Sequence, residues 1–484
     1  MFVFEQPKLR LGVAYTRRDT WVNKETEVSR RAIIEKVSVL ADEQDIEIYS
    51  TEDLEARKKR FIFGGRELSR SNNKYMTDYE DALFAASYFK EKKVDALFIP
   101  FCNFGQEEAV AKLGKELNVP LLIWGPRDGI PNPTATMRPT DSQCGIFAAS
   151  KDLRRYGVKF TYIENCLIND VIFEKGFKTF IQTARIIRSF RHARIAQLSV
   201  RPQQFLSVMV NEGELLEKFG IEIVPITGTQ LIDTINSIQK HEGEQIDVLL
   251  TDIEKTIDLT QLQNKRAIAA IELGIMKIAQ QYNCSAVASD CWHTIRHEFG
   301  IGPCFVFGDL YDRGLPCTCE CDIHGAITSL LAVAAVNNKS AAFLADLTMR
   351  HPENDNAELL WHCGPFAKQL KDPDVNGYVI KTGEGHYRIK KGELTVLRFD
   401  GDHGNYYCFV GKGQSINGPE TGGNYTYLEV DDWIKWEKKF VYGPYVHHVV
   451  GIFGDYRDAL FEACRYLEIK YDTPDSNPFI YSPK

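Results

Sequence analysis

Two carboxylates before a helix, a third in a later apolar run and three histidines near the end are the residues of this chain best suited to metal-assisted proton transfer. The run PCTCECDIHGAITSL, residues 316–330, sets Glu320 and Asp322 ahead of a helix expected to begin at Gly325. Backbone N–H groups there stabilise anions, although an acidic helix start taken alone is an ordinary cap. The next apolar run, in SAAFLADLT, closes on Asp346, expected at the carboxyl end of a strand. ELLWHCGPF places His362 after another apolar run and before a Gly-Pro turn, where a lone His is most often a hydrogen-bonded core residue. YGPYVHHVVGIFG sets His447 and His448 at the mouth of a strand, so that one of the pair faces inward and the other outward. Two carboxylates with one or two imidazoles on loops or strand ends suit a divalent cation such as Mn2+ or Co2+.

Other residues invite chemistry less strongly. Cys317, Cys319 and Cys321 form a C-x-C-x-C run, but structural zinc prefers paired C-x2-C spacing and a fourth ligand. Three small thiols on one face of a strand, turned to a core, explain the run as well. Trp292, in SDCWHTIRHEFG, has the type to stack on a sugar, with a buried core Trp as the commoner reading. Arg17 and Arg18 follow the first apolar run, placed either to bind a ligand or to form a surface ion pair.

The elements that must position these residues follow from the apolar runs. LRLGVAYT, IEIYS, VDALFIP and VPLLIWG are short and separated by helical patterns, the signature of parallel strands with crossover helices in a doubly wound sheet. A helical stretch from about Ile168 to Arg191 leads to a second series, ARIAQLSV, IEIVPI, IDVLLTD and CSAVASD, expected to be strands of a second α/β sheet. Ligands of such sheets sit beyond the carboxyl ends of the strands. From about residue 375 the chain turns rich in aromatics, β-branched residues and Gly turns, which predicts an antiparallel barrel or small sandwich, and DYRDALFEACRYLEI closes as a helix. The expected domains are 1–170 and 171–355, both α/β, and 356–484, rich in β structure.

Composition excludes several classes. At 484 residues the chain exceeds one ordinary core, and 44% hydrophobic with 26% charged residues is globular rather than disordered. The net charge of -8 disfavours nucleic acid as a partner, and the short cluster Lys58-Lys59-Arg60 reads as a solvated helix face. No G-x-G-x-x-G follows a first strand, so a dinucleotide cofactor has no support. The absence of long apolar stretches and of a signal-peptide pattern in MFVFEQPKLR leads to the expectation of a cytoplasmic protein without a membrane partner. The twelve cysteines are expected to be reduced thiols.

The series CECDIHGAITSLL, FLADL, LLWHCG and a late Gly-x-x-x-His-His segment resembles, in the same chain order, the L-fucose isomerase and L-arabinose isomerase superfamily. FGQEEAVAKLGKELNVPLLIWGPRD and the Arg17-Arg18-Asp19 turn extend the resemblance to compact members of that family. The resemblance implies two α/β domains and a C-terminal β domain, a homohexamer, and a Mn2+ ion held by Glu320, Asp346 and His448. It matches His362 to a further His of the arabinose-type branch, whereas Ala345 before Asp346 follows the fucose-type pattern. The choice of His448 over His447 is one of alignment. The implied activity is aldose–ketose isomerisation through an ene-diol, with Glu320 and Asp346 as acid/base pair and Asp322 as orienter of Glu320 or helix cap. The substrate implied is a pentose or 6-deoxyhexose, and the compact length is similar to that of isomerases of sulfoquinovose, a sulfonated hexose. The alternatives are a sugar-binding or regulatory protein without catalysis, and a metal-dependent aldolase or hydrolase.

Overall fold

Strands covered on both faces need no polar alternation, and the runs Leu97-Phe98-Ile99 and Leu121 to Trp124 are fully buried in strands. In the computed structural model, which describes residues 4, 7–21, 24–55, 58–63, 66–71, 74–131, 133, 138–337 and 339–478, residues Pro7–Arg185 and the chain from Ile186 onward form two compact units. The first holds a five-stranded parallel sheet in the order Ile46–Ser50, Leu9–Val13, Ala96–Pro100, Leu121–Trp124, Thr161–Tyr162. Strands on both sides of Leu9–Val13 make it the point where the winding reverses. Helices Lys24–Gln44, Tyr79–Lys92, Glu107–Leu117 and Ser142–Arg155 supply the crossovers. Lys58-Lys59-Arg60 is not on a helix: Lys58–Phe63 pairs antiparallel with Arg66–Ser71.

The second unit begins with a four-stranded parallel sheet in the order Cys317–Thr318, Ala286–Ser289, Arg194–Leu198, Glu222–Ile226. IDVLLTD, expected to be a strand of it, lies instead in the helix Gly243–Ile253. Ile246, Leu249, Leu250 and Ile253 are its buried residues, the i, i+3, i+4, i+7 spacing of one helical face that a short aliphatic run shares with a buried strand.

The β structure closes on itself. Asn354–His362, Phe343–His351, His448–Phe453, Gly392–Asp402, Asn405–Ile416 and Asn424–Glu429 pair in that order, and Asn424–Glu429 pairs back to Asn354–His362, making a six-stranded antiparallel barrel. Its first two strands precede the change of texture near residue 375. Helix Ile323–Val336 joins sheet to barrel. It is apolar almost all round, and it packs against Ala286–Ser289 on one side and against Gly392–Asp402 and His448–Phe453 on the other, so none of its faces is left to water. Among the described residues no helix is long and apolar enough to cross a membrane.

Candidate active site

The loop after Cys317–Thr318 delivers the first carboxylate through unusual backbone. Glu320 and Cys321 both take left-handed conformations, φ 54° each, which side-chain-bearing residues adopt rarely and which cluster at functional sites. The turn is held by Cys321 N–H donating to Ser289 O at 3.1 Å and Asp322 N–H to Cys319 O at 3.0 Å. Asp322 then caps the helix, which begins at Ile323 rather than Gly325, accepting from Gly325 N–H at 2.9 Å. Gly325 is required by closeness: a Cβ there would stand 2.4 Å from Asp322 Oδ2.

Asp346 is not at the end of its strand. It lies inside Phe343–His351, paired with His448 on one side and Trp361 on the other, so the barrel register itself sets acid beside imidazole. His362 closes the neighbouring strand Asn354–His362. His448, 1% exposed, opens its strand facing inward, while the His447 side chain is 46% exposed.

Four donor atoms converge here. Glu320 Oε2 lies 3.8 Å from His448 Nε2 and 3.9 Å from His362 Nε2, and Asp346 Oδ1 lies 3.5 Å and 3.8 Å from the same two nitrogens. Glu320 Oε2, Asp346 Oδ1 and His362 Nε2 are buried without a hydrogen-bond partner, a costly state for polar atoms that, for the two oxygens, a cation between them relieves. The donor set, carboxylates with imidazole, fits a divalent ion.

Both buried imidazoles present Nε2 to this point, but in opposite tautomers. His448 Nδ1 contacts Asp322 Oδ2 at 2.8 Å. Burial opposes charge on Asp322, but Arg398 and His448 hold its carboxyl far below the usual range. Nδ1 of His448 must therefore donate, which leaves the Nε2 lone pair free for a metal, the arrangement by which carboxylates orient ligating histidines. His362 Nδ1 instead accepts the Cys363 backbone N–H at 2.9 Å, so Nε2 carries the proton of the neutral ring. Burial opposes charge on this ring, while Asp346 and Cys363 raise its pKa; the N–H aimed at Nδ1 tells against double protonation. His362 thus offers the site a donor. Burial raises the pKa of Glu320, with His362 and His448 pulling the other way.

Trp292 is no core residue. It is 39% exposed and donates from Nε1 to Glu320 Oε1 at 3.1 Å, on the loop after Ala286–Ser289 where such sheets bind ligands. Phe205, which sequence reasoning passed over, packs edge-on to Trp292 with centroids 5.6 Å apart and stacks on His448 at 5.9 Å. Its loop follows Arg194–Leu198, and that position was the only signal available.

Arg398 was also missed. Fully buried in its barrel strand, it bonds Asp322 Oδ1 from Nη2 at 3.0 Å and Asp400 Oδ2 from Nε at 2.9 Å, and Asp400 meets His324 Nδ1 at 2.8 Å. Arg398→Leu leaves two buried carboxylates short of their cation and should cost about 3–5 kcal/mol of folding stability, read by urea denaturation; a loss under about 1 kcal/mol would contradict this role.

Arg17 and Arg18 lie in the other unit, just after the strand where winding reverses. Arg17 pairs with Asp19 at 2.8 Å and stacks on Tyr75; Arg18 pairs with Glu107 and lies over Phe104. Cys317, Cys319 and Cys321 are all buried, but only Cys317 lies in the strand Cys317–Thr318, so they do not share one strand face.

Comparison with known proteins matches residues 12–191 to the model of the fucose/sulfoquinovose isomerase N-terminal domain and residues 362–473 to that of the L-fucose isomerase C-terminal domain. Similar proteins include the sulfoquinovose isomerases of Priestia aryabhattai and Priestia megaterium, each 23% identical over 415 residues, covering 82% of this chain and 89% of the relative. That of Alkalicoccus urumqiensis is 21% identical over 342 residues, 67% of this chain and 73% of the relative.

Proposed function

Since the chain belongs to the L-fucose isomerase-like family of aldose–ketose isomerases, we propose that it isomerises a sulfonated hexose, sulfoquinovose, through an ene-diol, with Glu320 and Asp346 as acid/base pair. Glu320, Asp346 and His448 would hold a divalent cation, Mn2+ in this reading. The observation that carries it is the meeting of their buried, unpartnered oxygens with a His448 lone pair fixed by Asp322. Sulfoquinovose enters from the relatives' names and from their coverage of most of this chain.

Isomerisation moves a proton from C2 to C1 and another between the two oxygens. One carboxylate takes the carbon-bound proton while the other serves oxygen, a division that two carboxyls in different surroundings can sustain. Glu320 is deeply buried and tied to Trp292 N–H, whereas the Asp346 side chain is 22% exposed. His362 Nε2–H points between them, placed to donate to a sugar oxygen. The exposed indole of Trp292 and the ring of Phe205 form an apolar wall on which a sugar face packs and from which water is kept. When bound, the cation supplies Lewis-acid stabilisation of negative charge on the ene-diolate.

The substrate assignment is tested by a panel of aldoses with added Mn2+. Turnover of sulfoquinovose should exceed that of glucose and L-fucose in kcat/KM by at least about 100-fold, because a sulfonate binding site leaves its charged donors unpaired when a neutral sugar is bound. Equal or better turnover of L-fucose would overturn the sulfonated substrate while leaving the isomerase intact.

A further inference from the structure

The Nδ1 edge of His362 faces a pocket of thiols. His362 Nδ1 and Cys363 Sγ are 3.3 Å apart. Cys319 Sγ, Cys363 Sγ and a ring nitrogen of His362 all lie within 4.8 Å of one another. Cys363 Sγ also meets the thiol of Cys304, which accepts from Arg296 Nη2 at 3.3 Å. Cys304 and Cys319 are fully buried and Cys363 partly so. Two or three thiols with one imidazole are soft donors, the set that selects thiophilic cations over the hard or borderline ions suited to carboxylates.

We propose that Cys319, Cys363 and His362 Nδ1 form a second metal site, for a thiophilic cation such as Zn2+ or Cd2+. The lone pair of Nδ1 lies on this side because the Cys363 backbone N–H already points at it. Binding replaces the hydrogen bond from the Cys363 N–H with a metal–nitrogen bond and leaves Nε2–H facing Glu320 and Asp346, so one imidazole sits between a hard and a soft site. Each ligating thiol gives its proton to solvent. The guanidinium of Arg296 offsets part of the negative charge that a thiolate cluster would accumulate. The site shares only His362 with the proposed isomerase centre and does not depend on that centre being catalytic.

The test uses whole protein, freed of metal by chelation, dialysed and kept reduced with a phosphine. Titration with Cd2+, with and without saturating Mn2+, should give one equivalent per chain that carries thiolate-to-cadmium charge-transfer absorption and is not displaced by Mn2+. Cys363→Ser and Cys319→Ser should each abolish that band or weaken Cd2+ binding at least tenfold, whereas Cys144→Ser, at an exposed thiol, should leave it unchanged. No stoichiometric band in wild-type protein would overturn the proposal, as would a band that survives both buried substitutions or disappears with Cys144→Ser. The wild-type titration decides even where a variant fails to fold. Because absorption rather than turnover is read, failure of the isomerase reading would leave a positive result standing.

Discussion

Glu320→Gln and Asp346→Asn should each lower kcat at least about 100-fold with the fold intact, the scale of lost acid/base catalysis. Both substitutions keep size and remove the ability to cycle a proton. They act from different structures: Glu320 is held by two consecutive left-handed residues and by Trp292, and Asp346 by its barrel pairing with His448 and Trp361. Neither anchor depends on the charge removed, so circular dichroism and the melting temperature of metal-free protein should change little. Asp322→Asn touches the site only through His448 and Arg398 and should cost less. Near wild-type turnover in both primary variants would mean that another pair does the chemistry.

Removal of metal should have the larger effect. Lewis-acid stabilisation is worth several kcal/mol, about a thousandfold or more in rate, and chelated protein should retain at most a trace of activity. Mn2+ or Co2+ should restore it, since both accept mixed carboxylate and imidazole donors. Glu320 Oε2 and Asp346 Oδ1 are buried without a hydrogen-bond partner, and a cation that binds the folded state alone stabilises it by mass action, so Mn2+ should raise the melting temperature. Full turnover by metal-free protein, verified by elemental analysis, would remove the metal from the mechanism.

Four of the five parallel strands of the first unit were legible because each is a short apolar run ended by a turn residue or helix pattern, whereas Thr161–Tyr162, two half-exposed residues at the sheet edge, carries no such run. The barrel was legible from its alternating aromatic texture, although its first strands begin earlier, at Phe343 and Asn354. IDVLLTD was not legible, since seven residues contain too little periodicity to separate a buried helix from a strand. At the site, Glu320, Asp346 and His362 stand at or near the ends of apolar runs and His448 before one, but each is ambiguous alone, and the preference for His448 over His447 came from the resemblance. What joins them does not. Asp322 meets His448 across 126 positions and Arg398 across 76, and Arg398 sits in LTVLRFDG as any strand cation would. Trp292 was misread because an aromatic residue after an apolar strand is usually core. Only the bond from its indole to Glu320 and its open face distinguish it.

Product formed in deuterated water reports on the reaction type without reference to any ligand assignment. In an ene-diol reaction a carboxylate takes the C2 proton of the aldose and can exchange it with solvent before a proton returns to C1. The ketose should therefore carry deuterium at C1, in part or in full according to how fast the carboxylic acid exchanges. A hydride shift carries the substrate hydrogen directly from C2 to C1 and makes no use of a positioned base. Two inward-facing carboxylates favour proton transfer. Label at C1, detected by NMR after many turnovers, is the expected result; a ketose that stays free of solvent deuterium under sustained turnover would contradict the ene-diol and the acid/base roles of Glu320 and Asp346.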